Sequence, residues 1–274
     1  MGTFLRHENC QRRLPLRYAL RLPRRKAVSV GVAFLCQDGI VICADTQITW
    51  PENHKYYECK IYPHGGANWT FVATFAGNPE LMKSFDGKFR ESMQLMPAPY
   101  TASKIQDNVE TILSFFDILK DDPMQLSLLC GIVIANSEFR LLKTEGHVVR
   151  QVHRFDYVGV GDSSLLRYFA PLLTQTAQYD SKQALKIGTF LVLQAKRYVD
   201  GCGGDTNARV LQPNGMARRI DGLERMEQKF LMLEHQLGRL ATYFFDNREP
   251  DTEVEEAAKK FVKALKDYRP EMLR

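Results

Sequence analysis

Four residues of unlike chemistry recur at the ends of apolar runs in the first third of the chain: Ser29, Asp45, Lys60 and Gly77. A hydroxyl, a carboxylate, an amine and a glycine amide are the parts from which nucleophilic chemistry is assembled. Ser29 opens the run Ser29–Cys36, and Asp45 closes the run Ile40–Asp45, sixteen residues later. Between them stands Gln37-Asp38-Gly39, and two apolar runs around an Asp-Gly turn signal a β-hairpin. Folding about 37–39 predicts Ser29 opposite residues 47–48, with Asp45 two or three positions away. Lys60 begins a short strand over 59–62, and Gly77 ends a strand over 69–76. All four can gather at one end of a sheet. On spacing alone the plainer reading is that Asp45 and Gly77 terminate strands and Lys60 is a solvated edge charge.

The elements that must hold these residues follow from periodicity. Helical spacing marks 80–95 (Leu81, Met82, Phe85, Phe89, Met93) and 101–120 (Ile105, Val109, Ile112, Leu113, Phe116). Residues 126–136 are an almost continuous apolar run, as in a strand buried on both faces. Strands are predicted over 139–143, 147–152 and 155–160, helices over 163–173 and 181–198, and a closing hairpin over 207–211 and 216–220. Strands and helices come in blocks joined by short turns. The expectation is an α+β protein with largely antiparallel sheets inside and helices outside. Leu223, Met226, Phe230, Leu233, Leu237, Leu240 and Phe244 form a heptad seam in a further helix. That seam fits either packing on the same domain or contact with another subunit. The stretch 253–266 reads as short and polar. The chain divides into a basic arm (1–26), one domain (27–220) and a helical extension (221–274).

Composition excludes several classes. The chain has 274 residues, 45% hydrophobic and 25% charged, an ordinary globular balance. No apolar run approaches the roughly 20 residues of a membrane helix. Eight basic residues against the single Glu8 put +7 on residues 1–26, leaving −2 for the rest of a chain of formal charge +5. The body is therefore not basic, and no nucleic-acid-binding motif stands out, so nucleic acid is not the expected partner. The arm lacks the apolar core of a secretory signal. It reads as a mobile tail, a removable pro-segment, a docking arm or a transit-like stretch, and the expected location is the cytoplasm. Six cysteines show no CxxC pair, the six histidines form no metal set, and neither G-x-S-x-G nor a phosphate loop is present. No cofactor or metal is expected.

The segments S-V-G-V-A-F-L-C-Q-D-G-I-V-I-C-A-D-T-Q-I-T (29–49), C-K-I (59–61) and T-F-A-G-N (74–78), in this order and spacing, resemble the start of a proteasome core-particle β subunit. They also resemble the peptidase of the simpler bacterial proteasome-like machine; both are N-terminal-nucleophile hydrolases of peptidase family T1. Gly159–Asp162 and Asp200–Gly204 fall where that family has two further site segments. The resemblance covers about residues 27–220. It implies a four-layer αββα sandwich, here with an added C-terminal helix. It implies Ser29 as an N-terminal nucleophile in place of the usual threonine, its freed α-amine as general base, Lys60 and Asp45 as its charged partners, and the Gly77 N–H as oxyanion donor. Asp200 matches a further acidic position, Thr49 would pair with an extended peptide, and Ile48 with Glu58 would line a specificity pocket. The implied function is peptide-bond hydrolysis after removal of residues 1–28, on a peptide or unfolded-protein substrate, within a homo-oligomeric ring that an ATP-dependent unfoldase could feed. The alternative is a non-catalytic structural subunit that keeps its N-terminal extension. Tyr18-Ala19-Leu20 resembles a segment of such extensions.

Overall fold

The computed structural model describes residues 29–49, 54–116, 126–159, 164–173, 179–245 and 250–271. The basic arm and Val160–Asp162 of the Gly159–Asp162 segment lie outside them. The predicted hairpin forms from β1 (Val30–Cys36) and β2 (Gly39–Asp45). β3 (Gln47–Thr49) and β4 (Lys55–Tyr57) make a small ribbon that sequence reading did not anticipate. β5 (Ile61–Gly65) and β6 (Trp69–Ala76) follow, then the helices α1 (Pro79–Leu95) and α2 (Ala102–Phe116). Four strands come next: β7 (Ser127–Ile134), β8 (Glu138–Glu145), β9 (Val148–Val152) and β10 (Phe155–Gly159). The chain closes with α3 (Ser164–Leu173), α4 (Ser181–Tyr198), β11 (Thr206–Leu211), β12 (Ala217–Ile220), α5 (Leu223–Phe245) and α6 (Asp251–Glu271).

The strands form two antiparallel five-stranded sheets, ordered β10-β1-β2-β11-β12 and β5-β6-β7-β8-β9. Alternation along each strand sends side chains to two cores. From β2, Ile40, Ile42 and Ala44 meet Val72, Leu129, Val133 and Leu141 between the sheets, while Val41 and Cys43 face the helices. Phe71, Ala73 and Phe75 of β6 turn outward onto Phe85 and Phe89 of α1 and Ile105 and Val109 of α2. On the opposite side Val32 and Phe34 pack with Leu185, Leu191 and Val192 of α4. The layers are therefore helix, sheet, sheet, helix: an α+β, αββα sandwich as expected. Gly188 lets α4 lie close on the hairpin, since a Cβ there would come within 2.8 Å of Cys43 Sγ.

Two expectations need adjustment. The hairpin turn is two residues long, so Val30 stands opposite Asp45, with Gly31 against Ala44, and Asp45 is nearer to Ser29 than a wider turn would place it. The polar C-terminal stretch is not short: α6 runs 21 residues and packs antiparallel on α5. Val254, Ala257, Phe261, Ala264 and Tyr268 recur three and four residues apart, a helical period that the polar composition hid. The heptad seam divides along its length. Leu223 and Met226 are buried against the sandwich, whereas Leu237 is 54% exposed. Lys196 of α4 pairs with Glu227 at 2.6 Å, and Gln194 and Arg197 reach Glu234, which ties the first half of α5 to the domain.

Among the described residues four thiols are buried: Cys36, Cys43, Cys130 and Cys202. Burial pushes each above its usual 9.0, Cys36 to about 12. Above pH 9 the unfolded chain therefore releases these protons while the folded chain keeps them. Each thiol then removes about 1.4 kcal/mol of stability per pH unit. Urea midpoints are expected to hold up to about pH 8 and to fall steeply by about pH 10. Cys130→Ala should make that fall shallower by one thiol's share; an unchanged slope would contradict the argument.

Candidate active site

The end of the first hairpin carries a buried polar cluster. Lys60 lies in the short link between β4 and β5 and is 1% exposed, so it is not the solvated edge charge that spacing alone suggested. Its ammonium has three donors, and three acceptors meet it: Asp45 Oδ1 at 2.6 Å, Ser29 Oγ and the Gln47 carbonyl. Burial lowers the Lys60 pKa from its usual 10.5, and Asp45 opposes that shift. The three acceptors favour the charged form, as a buried cation requires.

Asp45 is fully buried at the end of β2. Its Oδ1 also accepts from the Val30 N–H at 3.1 Å and stands 3.4 Å from Ser29 Oγ. Its Oδ2 accepts from the Gly203 N–H at 3.0 Å. The Gly203 carbonyl in turn accepts from the Gln47 N–H at 3.0 Å. The turn after α4 is thus tied to the site from both sides. Asp205 N–H donates to Thr46 Oγ1 at 2.8 Å and reinforces the same join. Cys202 lies within electrostatic reach of Asp45 and Lys60.

Ser29 is 5% exposed. Its backbone is fixed by β10: Gly159 has φ +79°, and a Cβ at Gly159 would fall 1.8 Å from the Ser29 carbonyl oxygen. No side chain fits there without moving Ser29. Gly159→Ala is expected to lower any turnover about 100-fold, because a displacement near 1 Å at a reacting group costs that much. Assaying the variant at a temperature where it remains folded separates this effect from loss of stability.

Ser29, Asp45 and Lys60 are brought together. Gly77 follows β6, directly before Asn78, which caps α1 by accepting from the Glu80 N–H at 2.9 Å. Asp200 is exposed on the turn after α4, and no hydrogen bond joins it to the cluster among the described residues. Ile48 is 5% exposed and belongs to the core cluster that includes residues of β6, α1 and α2. Thr49 is half-buried; its hydroxyl donates to the Gly201 carbonyl at 3.2 Å and accepts from Gln47 Nε2 at 3.1 Å. The Gln47 carbonyl and the Gly203 amide were missed. A backbone group has no sequence signature, although the Gly201–Gly204 run did mark an irregular turn. Among the described residues no three His, Cys, Asp or Glu side chains converge as a metal set. No described helix is long and apolar enough to cross a membrane.

No protein-family model and no curated protein matches the chain. Solved structures match the fold. A Gly-1 mutant of Anbu from Hyphomicrobium sp. strain MC1 aligns with a TM-score of 0.64 at 15% identity, over 77% of this chain and 98% of that one. Anbu, the ancestral β-subunit, from Yersinia bercovieri gives 0.60 at 15% identity, over 81% and 98%. The Anbu complex of Pseudomonas aeruginosa, described as a helical assembly, gives 0.60 at 14%, over 77% and 95%. At such identities the likeness is one of fold. It corrects the family reading: the resemblance to the proteasome core-particle β subunit and to peptidase family T1 does not stand, and these neighbours are Anbu proteins, a related but distinct family. The physical reason is that a hairpin ending in a carboxylate, a following lysine and a glycine turn are features of the shared architecture. They do not separate one family within it from another.

Proposed function

We propose that the chain is a proteasome-like subunit, Anbu-like in fold, that hydrolyses peptide bonds with Ser29 as nucleophile once residues 1–28 are removed. The observation that carries this is the Lys60 ammonium, buried and held against both the Ser29 hydroxyl and the Asp45 carboxylate. A cation beside a hydroxyl stabilises negative charge developing on its oxygen. It does not by itself remove the proton.

Removal of residues 1–28 supplies the base. A free α-amine titrates at about 7.7–8.0 in the absence of neighbours and is covalently tethered to the reacting side chain. As Ser29 Oγ attacks the substrate carbonyl carbon, its proton passes to that amine. Lys60 steadies the oxygen, and the Gly77 N–H donates to the carbonyl oxygen as it becomes an oxyanion. Collapse breaks the C–N bond, and the leaving amine takes the proton from the α-ammonium. Water, deprotonated by the same amine, then cleaves the ester and restores Ser29 Oγ–H. Asp45 keeps Lys60 in place through a charge-assisted bond. Thr49, beside the Gly201 carbonyl, holds the extended substrate by backbone pairing.

Subunits assembled with other copies, as the Pseudomonas aeruginosa Anbu complex does in its helical assembly, would enclose such a site. The test is intact mass of the purified protein together with turnover of a fluorogenic peptide. Loss of residues 1–28 with turnover is the expected result. A full-length chain that hydrolyses no peptide would leave a structural subunit.

A further inference from the structure

A second concave surface lies at the far end of the first hairpin, beside its turn. A groove of about 880 Å³ opens between the start of α4, the β11–β12 hairpin and the start of α5. Seven residues of β1 at about 3.3 Å each separate this end of the sheet from Ser29 by roughly 23 Å. Lys182, Arg218, Arg219 and Arg225 line the groove, with Asp38 and Asp221 as its acids. Both acids are already engaged. Asp38 accepts from the Ser181 N–H and from Ser181 Oγ, each at 2.7 Å. Asp221 pairs with Arg219 at 3.1 Å. Lys182, Arg218 and Arg225 are exposed and have no acidic partner among the described residues. Leu185, Leu223 and Met226 at its base are already buried in the core beneath α4 and α5, so the groove's accessible surface is chiefly polar and cationic.

One wall of the groove is β12, the outer strand of its sheet, which pairs only with β11 among the described strands. Half of its backbone N–H and C=O groups therefore point outward, a template for another strand. We propose that this groove receives an extended acidic segment of a partner protein, added alongside β12 with its alternate, helix-facing carboxylates on Lys182, Arg218 and Arg225. Charged residues on an edge strand often serve only to discourage pairing. Here Lys182 and Arg225 come from two helices and converge on the same groove, which an edge guard does not need. A small anion would occupy one or two of these cations and leave the outward N–H and C=O groups of β12 unpaired. No aromatic side chain lines the groove to stack a base. The arm over 1–26 carries +7 and is repelled by it.

The experiment measures anisotropy of a fluorescein-labelled Glu-Leu-Glu-Leu-Glu-Leu-Glu peptide with the full chain at about 50 mM salt. Wild type and Ser29→Ala should bind it equally, which separates the groove from the Ser29 site. Arg218→Glu and Arg225→Gln should each weaken binding at least about tenfold. Methylation of alternate backbone nitrogens of the peptide should abolish it. The proposal is overturned if the peptide does not bind, if neither variant weakens it, or if the methylated peptide binds as well. It is equally overturned if an oligothymidylate binds more tightly than the peptide, since the surface would then be one for nucleic acid.

Discussion

Ser29→Ala is expected to retain its leader and to hydrolyse no peptide, a loss of roughly 10⁴-fold or more in kcat/KM. The alanine removes one oxygen from a cluster that is otherwise intact. Lys60 keeps Asp45 and the Gln47 carbonyl as acceptors, and Asp45 keeps the Val30 and Gly203 amides. Stability should therefore fall by about 1–3 kcal/mol, since one N–H of the buried Lys60 ammonium loses its acceptor. Folding and function come apart in this variant, so lost turnover cannot be laid to unfolding. Ser29→Thr keeps the hydroxyl and should keep measurable turnover. Intact mass, a urea melt and a fluorogenic peptide assay check the set. Undiminished turnover in Ser29→Ala would assign the nucleophile elsewhere.

The hairpin could be read because its causes are local. An Asp-Gly turn between two apolar runs dictates β1 and β2, and period-3.6 spacing dictates α1 and α2. The layering followed from the order of these elements. What could not be read is set by contacts across the chain. Lys60 looks like a solvated charge until Asp45, Ser29 and the Gln47 carbonyl surround it. Asp200 lies two residues from Cys202 and three from Gly203, yet the site is reached by the Gly203 amide, and Asp200 points to solvent. α6 is polar because its outer face is wet, and that composition masked the helical spacing of Val254, Ala257, Phe261, Ala264 and Tyr268. Family identity failed for a different reason. The quoted segments report the geometry that an αββα sandwich imposes on its first hairpin, and the Anbu structures share that sandwich.

Lys60→Met is the substitution expected to cost most in stability, about 3–5 kcal/mol. Asp45 is 0% exposed, and without Lys60 its carboxylate keeps two backbone N–H donors but no cation. Methionine fills nearly the same volume, so the cost is electrostatic and not a cavity. Asp45→Asn alone creates the converse problem, an ammonium left with neutral acceptors. Combining the two changes removes both charges. The double variant should then be more stable than Lys60→Met, because desolvating a charge pair offsets much of what its attraction returns. A double-mutant cycle in urea, at a pH where the thiols stay protonated, measures this coupling. Two additive losses would mean that Lys60 and Asp45 do not act as a pair. Turnover should be absent in all three variants, including the recovered one. Recovered stability without recovered turnover would show that the pair is held there for its chemistry.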